Sequence, residues 1–382
     1  MRITRILART TLALGVSLAA AGGAYADLPA ETVGQTTLPF PPSPHRAYII
    51  DMEFDSFVIG RVTVVDPEQK KMLGMVSTGF AAPSALSHDQ RTLYSADLFY
   101  SRGTRGTRTD VLTAWDTSTL APAWEVVIPS KRSESITQRY GMGTSSDDRF
   151  VYVYNFTPST SVTVVDTQSK AVTSEIALPG CVLDYPVGKR GFASMCGDGS
   201  MQLVTLGEDG KEVARSRTPF FDPSKEKLVE RGIANGDTYY FTTTEGTLHT
   251  IDFSGKQPKV LPTWSLTTDE ERKAGWAPGG WQEIALAPKL NRLYVLMHDK
   301  HEAMKWEDPA TDIWVYDLKT QKKIGTLSSP NPIWSLTATT DDAPLLLGAD
   351  VLGGLNVFDL KTGKLTGTME KIAKTPSQVL TH

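Results

Sequence analysis

The run VTVVD occurs at residues 62–66 and again, unchanged, at 162–166, and a variant of it, VLTAWD, ends midway between the two at Asp116. Recurrence at a fixed period constrains a fold more than any single residue does, because each copy is one supersecondary unit that cannot bury its apolar face alone. Four more copies follow: MQLVTL ending at Leu206, TLHTID at Asp252, DIWVYD at Asp317 and LNVFD at Asp359. Each is an alternating, β-branched or aromatic run that stops at a polar turn. After most of them comes a turn rich in Gly, Lys, Thr and Asp and then another strand, as in PEQKKMLGMV and LKTGKLTGTM.

A pair of strands precedes each copy. APSALSHDQRTLYSAD, YGMGTSSDDRFVYVYN, WQEIALAPKLNRLYVLMH and IWSLTATTDDAPLLLGAD share the pattern of a short apolar strand, a turn with Asp or Asn, and a second apolar strand. Each unit therefore holds four antiparallel strands, and the spacing of about 49 residues suits the blade of a propeller. The expected fold is all-β: a seven-bladed β-propeller. The first unit opens directly on what should be its second strand, HRAYIID, while TPSQVLTH is left over after the last unit. Residues 377–382 are expected to pair with the first blade and close the ring, which removes edges that invite aggregation. Helix is expected to be scarce, with TTDEERKAGW (267–276) the best candidate: a Thr cap and an acidic first turn.

The first 26 residues read as a secretory signal peptide. Arg2, Arg5 and Arg9 precede the apolar run TLALGVSLAAAGG, which is short for a membrane span, and Ala24-Tyr25-Ala26 is a small-x-small cleavage signal. Residues 27–40 form an N-terminal extension and 41–382 the propeller. No later run is long enough to span a bilayer, so no membrane association is expected. The formal charge of −4 gives nucleic acid nothing to hold. Cys181 and Cys196, the only two cysteines, read as a disulfide in an exported chain.

Catalytic motifs are missing. There is no nucleophile elbow, P-loop, zincin motif or dinucleotide fingerprint. HDKHE (298–302) brings His298 and His301 together, but a catalytic metal needs three converging ligands and the local sequence supplies none beyond these, so no metal is assigned. SRGTRGTRTD (101–110) gathers Arg102, Arg105 and Arg108 around two glycines, which suits a partner-docking loop or an exposed connector. AGWAPGGW (274–281) places Trp276 and Trp281 about a Pro-Gly-Gly turn, either packing a loop onto a blade or offering a binding surface.

Three of these stretches carry a resemblance. GWAPGGWQ (275–282), SRGTRGTRTD and CVLDYPVGKRGFASMCGDGS (181–200) are similar to the heavy subunit of the bacterial quinoprotein amine dehydrogenases, a family that includes methylamine and aromatic amine enzymes. The likeness runs over roughly residues 38–380, and the two cysteines match that subunit's single disulfide. The resemblance implies a periplasmic assembly of two heavy and two light subunits. It places the cofactor, tryptophan tryptophylquinone, in the light subunit and none in this chain, and it passes electrons to a blue copper protein of the amicyanin or azurin kind. Such an enzyme oxidises primary amines to aldehyde and ammonia, and the heavy chain is its non-catalytic scaffold. In DMEFDSF, Phe54 matches the aromatic that narrows the substrate channel. LGEDGK and MHDKHE lean toward the aromatic amine branch, TDEERKAGWAPGGWQ toward the methylamine branch. Two other readings remain open from the residues alone: a self-contained, lactonase-like metal hydrolase and a binding propeller with no redox role.

Overall fold

All the repeats but the one ending at Leu206 close on their own aspartate. In the computed structural model, which describes residues 36–56, 58–132, 137–300 and 307–381, Asp116 accepts the backbone N–H groups of Ser118 and Thr119 at 2.9 and 2.8 Å, Asp166 those of Gln168 and Ser169, and Asp359 those of Lys361 and Thr362. Asp66, Asp252 and Asp317 do the same for Gln69, Ser254 and Thr320. Each of these turns satisfies donors that the hairpin leaves unpaired. Most then pass through one left-handed residue, for example Lys70 at φ 52° and Lys170 at φ 52°. The ladder shifts register immediately afterwards, as in a three-residue hairpin with a bulge. The repeated Asp is thus the turn-forming end of a strand.

These hairpins are stacked into an all-β propeller. Five sheets have four antiparallel strands. One of them runs Pro376–Leu380, Ala47–Asp51, Ile59–Asp66 and Lys71–Gly79; the other four start at Ser84–Leu86, Met142–Thr144, Cys181–Pro186 and Ile233–Asn235. Middle strands such as Phe150–Asn155 and Ser161–Asp166 are wholly buried, and last strands such as Glu212–Pro219 are almost wholly exposed. Each sheet therefore has an inner and an outer edge. The C-terminal strand pairs with the N-terminal one, Tyr48 opposite Leu380 and Ile49 opposite Val379, so chain end and chain start share a sheet as expected.

The blade count is corrected. Instead of seven separate blades, the described residues form five four-stranded sheets and one eight-stranded sheet. The reason is the 17-residue strand Lys322–Ala338. Its first part pairs with Ala310–Asp317 and its second with Leu345–Asp350. Pro330 and Pro332 hold the joint between the parts extended, so two sets of strands stay in one ladder. A core built on Leu296, Ile313, Leu336 and Phe358 fills the space between the two arms of this sheet.

Apolar clusters sit between neighbouring sheets all the way round. Ala47 and Ile49 pack with Leu347 and Val357, Ile50 with Leu93, Ala96 with Val151, and Leu248 with Ile284. An aromatic cluster of Tyr152, Tyr185, Phe192, Tyr239 and Phe241 joins three consecutive sheets. The helix Asp269–Lys273 lies within the expected stretch, capped by Thr268, whose hydroxyl accepts the Glu271 N–H while Glu271 accepts the Thr268 N–H. Cys181 and Cys196 stand opposite each other on adjacent strands and are joined by a disulfide. The signal peptide (1–26) and most of the extension 27–40 lie outside the described residues.

Candidate partner-docking face

Antiparallel order decides where the loops go. In a four-stranded unit, the connection between the second and third strands and the connection to the next sheet leave at the same end. Phe54 (between Ala47–Asp51 and Ile59–Asp66), Arg102 and Arg105 (between Thr92–Tyr100 and Arg108–Asp116), Trp276 and Trp281 (before Ile284–Ala287) and the segment after His298 all belong to such connections. Stretches scattered over more than 200 residues of sequence therefore share one face.

The Phe54 loop is held at its base. Buried Asp51 accepts the N–H groups of Lys374 and Thr375, both at 2.8 Å, and of Glu53 at 3.0 Å. Glu53, in the left-handed region at φ 46°, pairs with Arg61. This leaves Phe54 half-buried beside an exposed Asp55.

The Arg loop is equally well formed. The N–H of Arg102 donates to the Arg105 carbonyl at 3.0 Å and that of Ser101 to Thr107 at 3.0 Å, with Gly103 and Gly106 at φ 74° and 106°. Arg102 and Arg105 are exposed. Arg108 is turned inward: it clasps Asp110 through two bonds of 2.6 and 2.7 Å and donates to the Arg132 carbonyl. Its place is that of a structural clamp between sheets.

The two tryptophans also differ. Trp276 packs on Trp314, ring centres 5.0 Å apart, against the core. Trp281 stacks nearly parallel on Trp334 at 4.5 Å, both half-exposed, and its N–H donates to the Trp334 carbonyl at 2.7 Å. The Pro-Gly-Gly turn between them lies directly on His298: a Cβ at Gly279 would meet that ring at 2.4 Å. His298 is thereby packed, and His301 lies outside the described residues. Among the described residues no group of three His, Cys, Asp or Glu side chains stands close enough to hold a metal ion.

Sequence reading missed several features. Phe99, Phe156 and Leu352, at 45%, 58% and 68% exposure, add apolar surface to the same face. Their signal was weak: each is one apolar residue at the edge of a loop. Phe156 and Tyr154 help wall a 540 Å³ cavity there, with Pro83, Val182 and Leu183. Two acids are buried near the axis. Burial pushes Glu283 up to about 7, against the pull of Arg231, and its carboxyl accepts the Thr242 hydroxyl at 2.8 Å. Burial likewise raises Asp184 well above the usual carboxylate range. A polar pair leading an apolar strand, as in WQEIALA, was the available clue to Glu283.

Residues 43–382 match the family model described as methylamine dehydrogenase heavy chain (MADH). The chain belongs to that family. It is 28% identical over 345 residues to the methylamine dehydrogenase heavy chain of Methylorubrum extorquens, covering 89% of this chain and 83% of that one. Against the heavy chain of Methylophilus methylotrophus it is 28% identical over 337 residues, 87% and 82% of the two chains. The fold alone is shared with a putative 6-phosphogluconolactonase from Bacteroides fragilis, at 14% identity and a TM-score of 0.59 over 90% of this chain and 99% of that one. The heavy-chain match takes in Phe54, the Arg loop, both cysteines and the tryptophan turn, so the resemblance seen in three loops extends over the whole propeller.

Proposed function

We propose that this chain is the heavy subunit of an exported amine dehydrogenase that converts primary amines to aldehyde and ammonia. The observation that carries this reading is the family match over residues 43–382, supported by the gathering of its loops on one face. Two heavy and two light subunits form the periplasmic assembly, and electrons leave to a blue copper protein. No described helix is long and apolar enough to cross a membrane.

The redox chemistry is assigned to tryptophan tryptophylquinone in the light subunit. Such a group needs two indoles bonded to each other. The tryptophans of this chain are read as packing residues, Trp281 on Trp334 and Trp276 on Trp314, and no step is routed through them. The heavy chain's own contribution is physical. Phe54 walls the substrate channel at the contact with the light subunit. Arg102 and Arg105 offer charge, and Phe99, Phe156, Leu352 and the Trp281–Trp334 stack offer apolar anchors.

Co-expression with a small light subunit encoded alongside tests this. The complex should reduce an artificial dye in an amine-dependent way, and the chain alone should not. Turnover by the chain alone, or stoichiometric calcium or zinc in the purified chain, would favour the hydrolase reading instead.

A further inference from the structure

On the face opposite the docking loops, the axis opens into a second cavity, a funnel of 430 Å³. Its floor is the short segment 137–141. Thr137 bonds to Ser377 of the closing strand at 2.8 Å, Arg139 reaches the Gly232 carbonyl at 3.3 Å, and the Tyr140 carbonyl accepts the Asp184 N–H at 2.9 Å. Those partners belong to three different sheets, so the segment crosses the middle of the ring. Thr137, Gln138 and Gly141 face the docking-side cavity, whereas Arg139 and Tyr140 line the funnel.

Arg139 is poorly compensated. Its one side-chain hydrogen bond to a described residue is that to Gly232, and no described carboxylate lies within 4.0 Å of it. Glu283 acts on it only through longer-range attraction, while burial works against its charge. Arginine stays ionised in proteins, and Arg139 is only half-buried at the funnel wall, so an anion entering the funnel meets a charged guanidinium that has no carboxylate partner among the described residues. A second group points the same way. Gln378 is 3% exposed, lines the same funnel, and its Nε2 has no hydrogen-bond partner among the described residues. The other charged groups at the funnel are already engaged. His88 pairs with Asp148 at 3.0 Å, and Asp237 accepts the Gly188 N–H at 2.8 Å.

We propose that this funnel is a binding site for a small oxyanion, a carboxylate or a phosphate, with Arg139 as its charge partner and the Gln378 amide as a second donor. The guanidinium fork matches either anion in two-point contact. Bound there, the anion ties the axial segment to the closing strand, because Arg139 and Gln378 flank the Thr137–Ser377 bond. The site is independent of the amine dehydrogenase reading, since it opens on the face away from the docking loops.

Isothermal titration of the full chain, in chloride buffer, with inorganic phosphate and separately with acetate tests the site, and the two arms tell the anion classes apart. One saturable site per chain is expected for at least one of them. Arg139→Gln should weaken it by about tenfold or more, the effect of losing a charge-assisted bond. Gln378→Leu should weaken it less, and Arg102→Gln on the other face should leave it unchanged. In the unmodified chain the same anion should protect Arg139 from phenylglyoxal, mapped by mass spectrometry, which keeps the test open if Arg139→Gln fails to fold. No saturable heat from either anion, binding that Arg139→Gln and Gln378→Leu leave intact, or labelling of Arg139 at an unchanged rate would overturn the proposal.

Discussion

Phe54 is a side chain whose surroundings are fixed before any partner arrives. Asp51 pins the backbone below it through three N–H groups, so the ring is presented from a rigid base. Shortening it should therefore change which amines enter more than whether the chain folds. In the assembled enzyme Phe54→Ala is expected to lower KM for bulky amines relative to methylamine while the thermal midpoint of the isolated chain stays close to the parent's. Equal effects on all amines would place Phe54 outside the channel. Asp51 is the contrasting case. It is 1% exposed, and Asp51→Ala leaves the buried Glu53 N–H and the part-buried Lys374 and Thr375 N–H groups without their acceptor, a loss of about 2 kcal/mol or more on the usual cost of such bonds. Chemical denaturation should show it. The docking arginines make the third case. Arg102→Glu with Arg105→Glu should weaken light-subunit association and flatten or invert its salt dependence, because salt then screens repulsion instead of attraction, whereas altering Arg108 should lower stability first, because it clasps buried Asp110. Sequence grouped these three arginines by proximity. Only the structure separates them, since alternation along a strand turns Arg108 inward while the turn holds Arg102 and Arg105 in solvent.

At the scale of the element, the strand-ending aspartates make hairpin stability depend on acid. For Asp116, burial raises the pKa but is outweighed by the Thr119 and Ser118 N–H groups. For Asp166, burial is outweighed by Arg149 and by the Ser169 and Gln168 N–H groups. For Asp252 the Ser254 N–H leads the lowering. Each folded pKa thus lies below its unfolded value of about 3.9. A depressed pKa contributes stability that is complete above the unfolded value and is lost as pH falls through the folded one. Acid unfolding should accordingly set in below about pH 4, and Asp166→Asn, which keeps an acceptor without the charge, should flatten that dependence when midpoints are followed against pH. The turns were the most legible part of the chain, because a terminal Asp, a polar turn and a return strand are local chemistry. The continuous strand Lys322–Ala338 was not. The sequence pattern starts a new strand at IWSLTATT, yet the two prolines before it suit extended backbone, and pairing on both sides keeps the ladder unbroken.

For the whole molecule, the question is what holds a ring of sheets shut. Each sheet has apolar clusters on its flanks, so every sheet but one has both neighbours supplied by adjacent sequence. The exception is where the chain starts and ends, and there closure rests on Pro376–Leu380 lying against Ala47–Asp51. The joint is reinforced from several directions: Lys374 and Thr375 donate to Asp51, the Ser335 hydroxyl donates to the Ser377 carbonyl, and Gln282 makes paired bonds with Val379. Removing residues 376–382 takes away the inner strand of that sheet and bares the Ala47–Asp51 edge, five buried residues that have lost their pairing. The truncated chain is expected to retain β-structure by circular dichroism but to self-associate in size-exclusion chromatography. Amide exchange should rise first in Ala47–Asp51 and in the neighbouring Leu345–Asp350 strand, where the apolar cluster is shared. A truncated chain that stays monomeric, with those two strands as protected as before, would show that side-chain packing between sheets closes the ring without the shared strand.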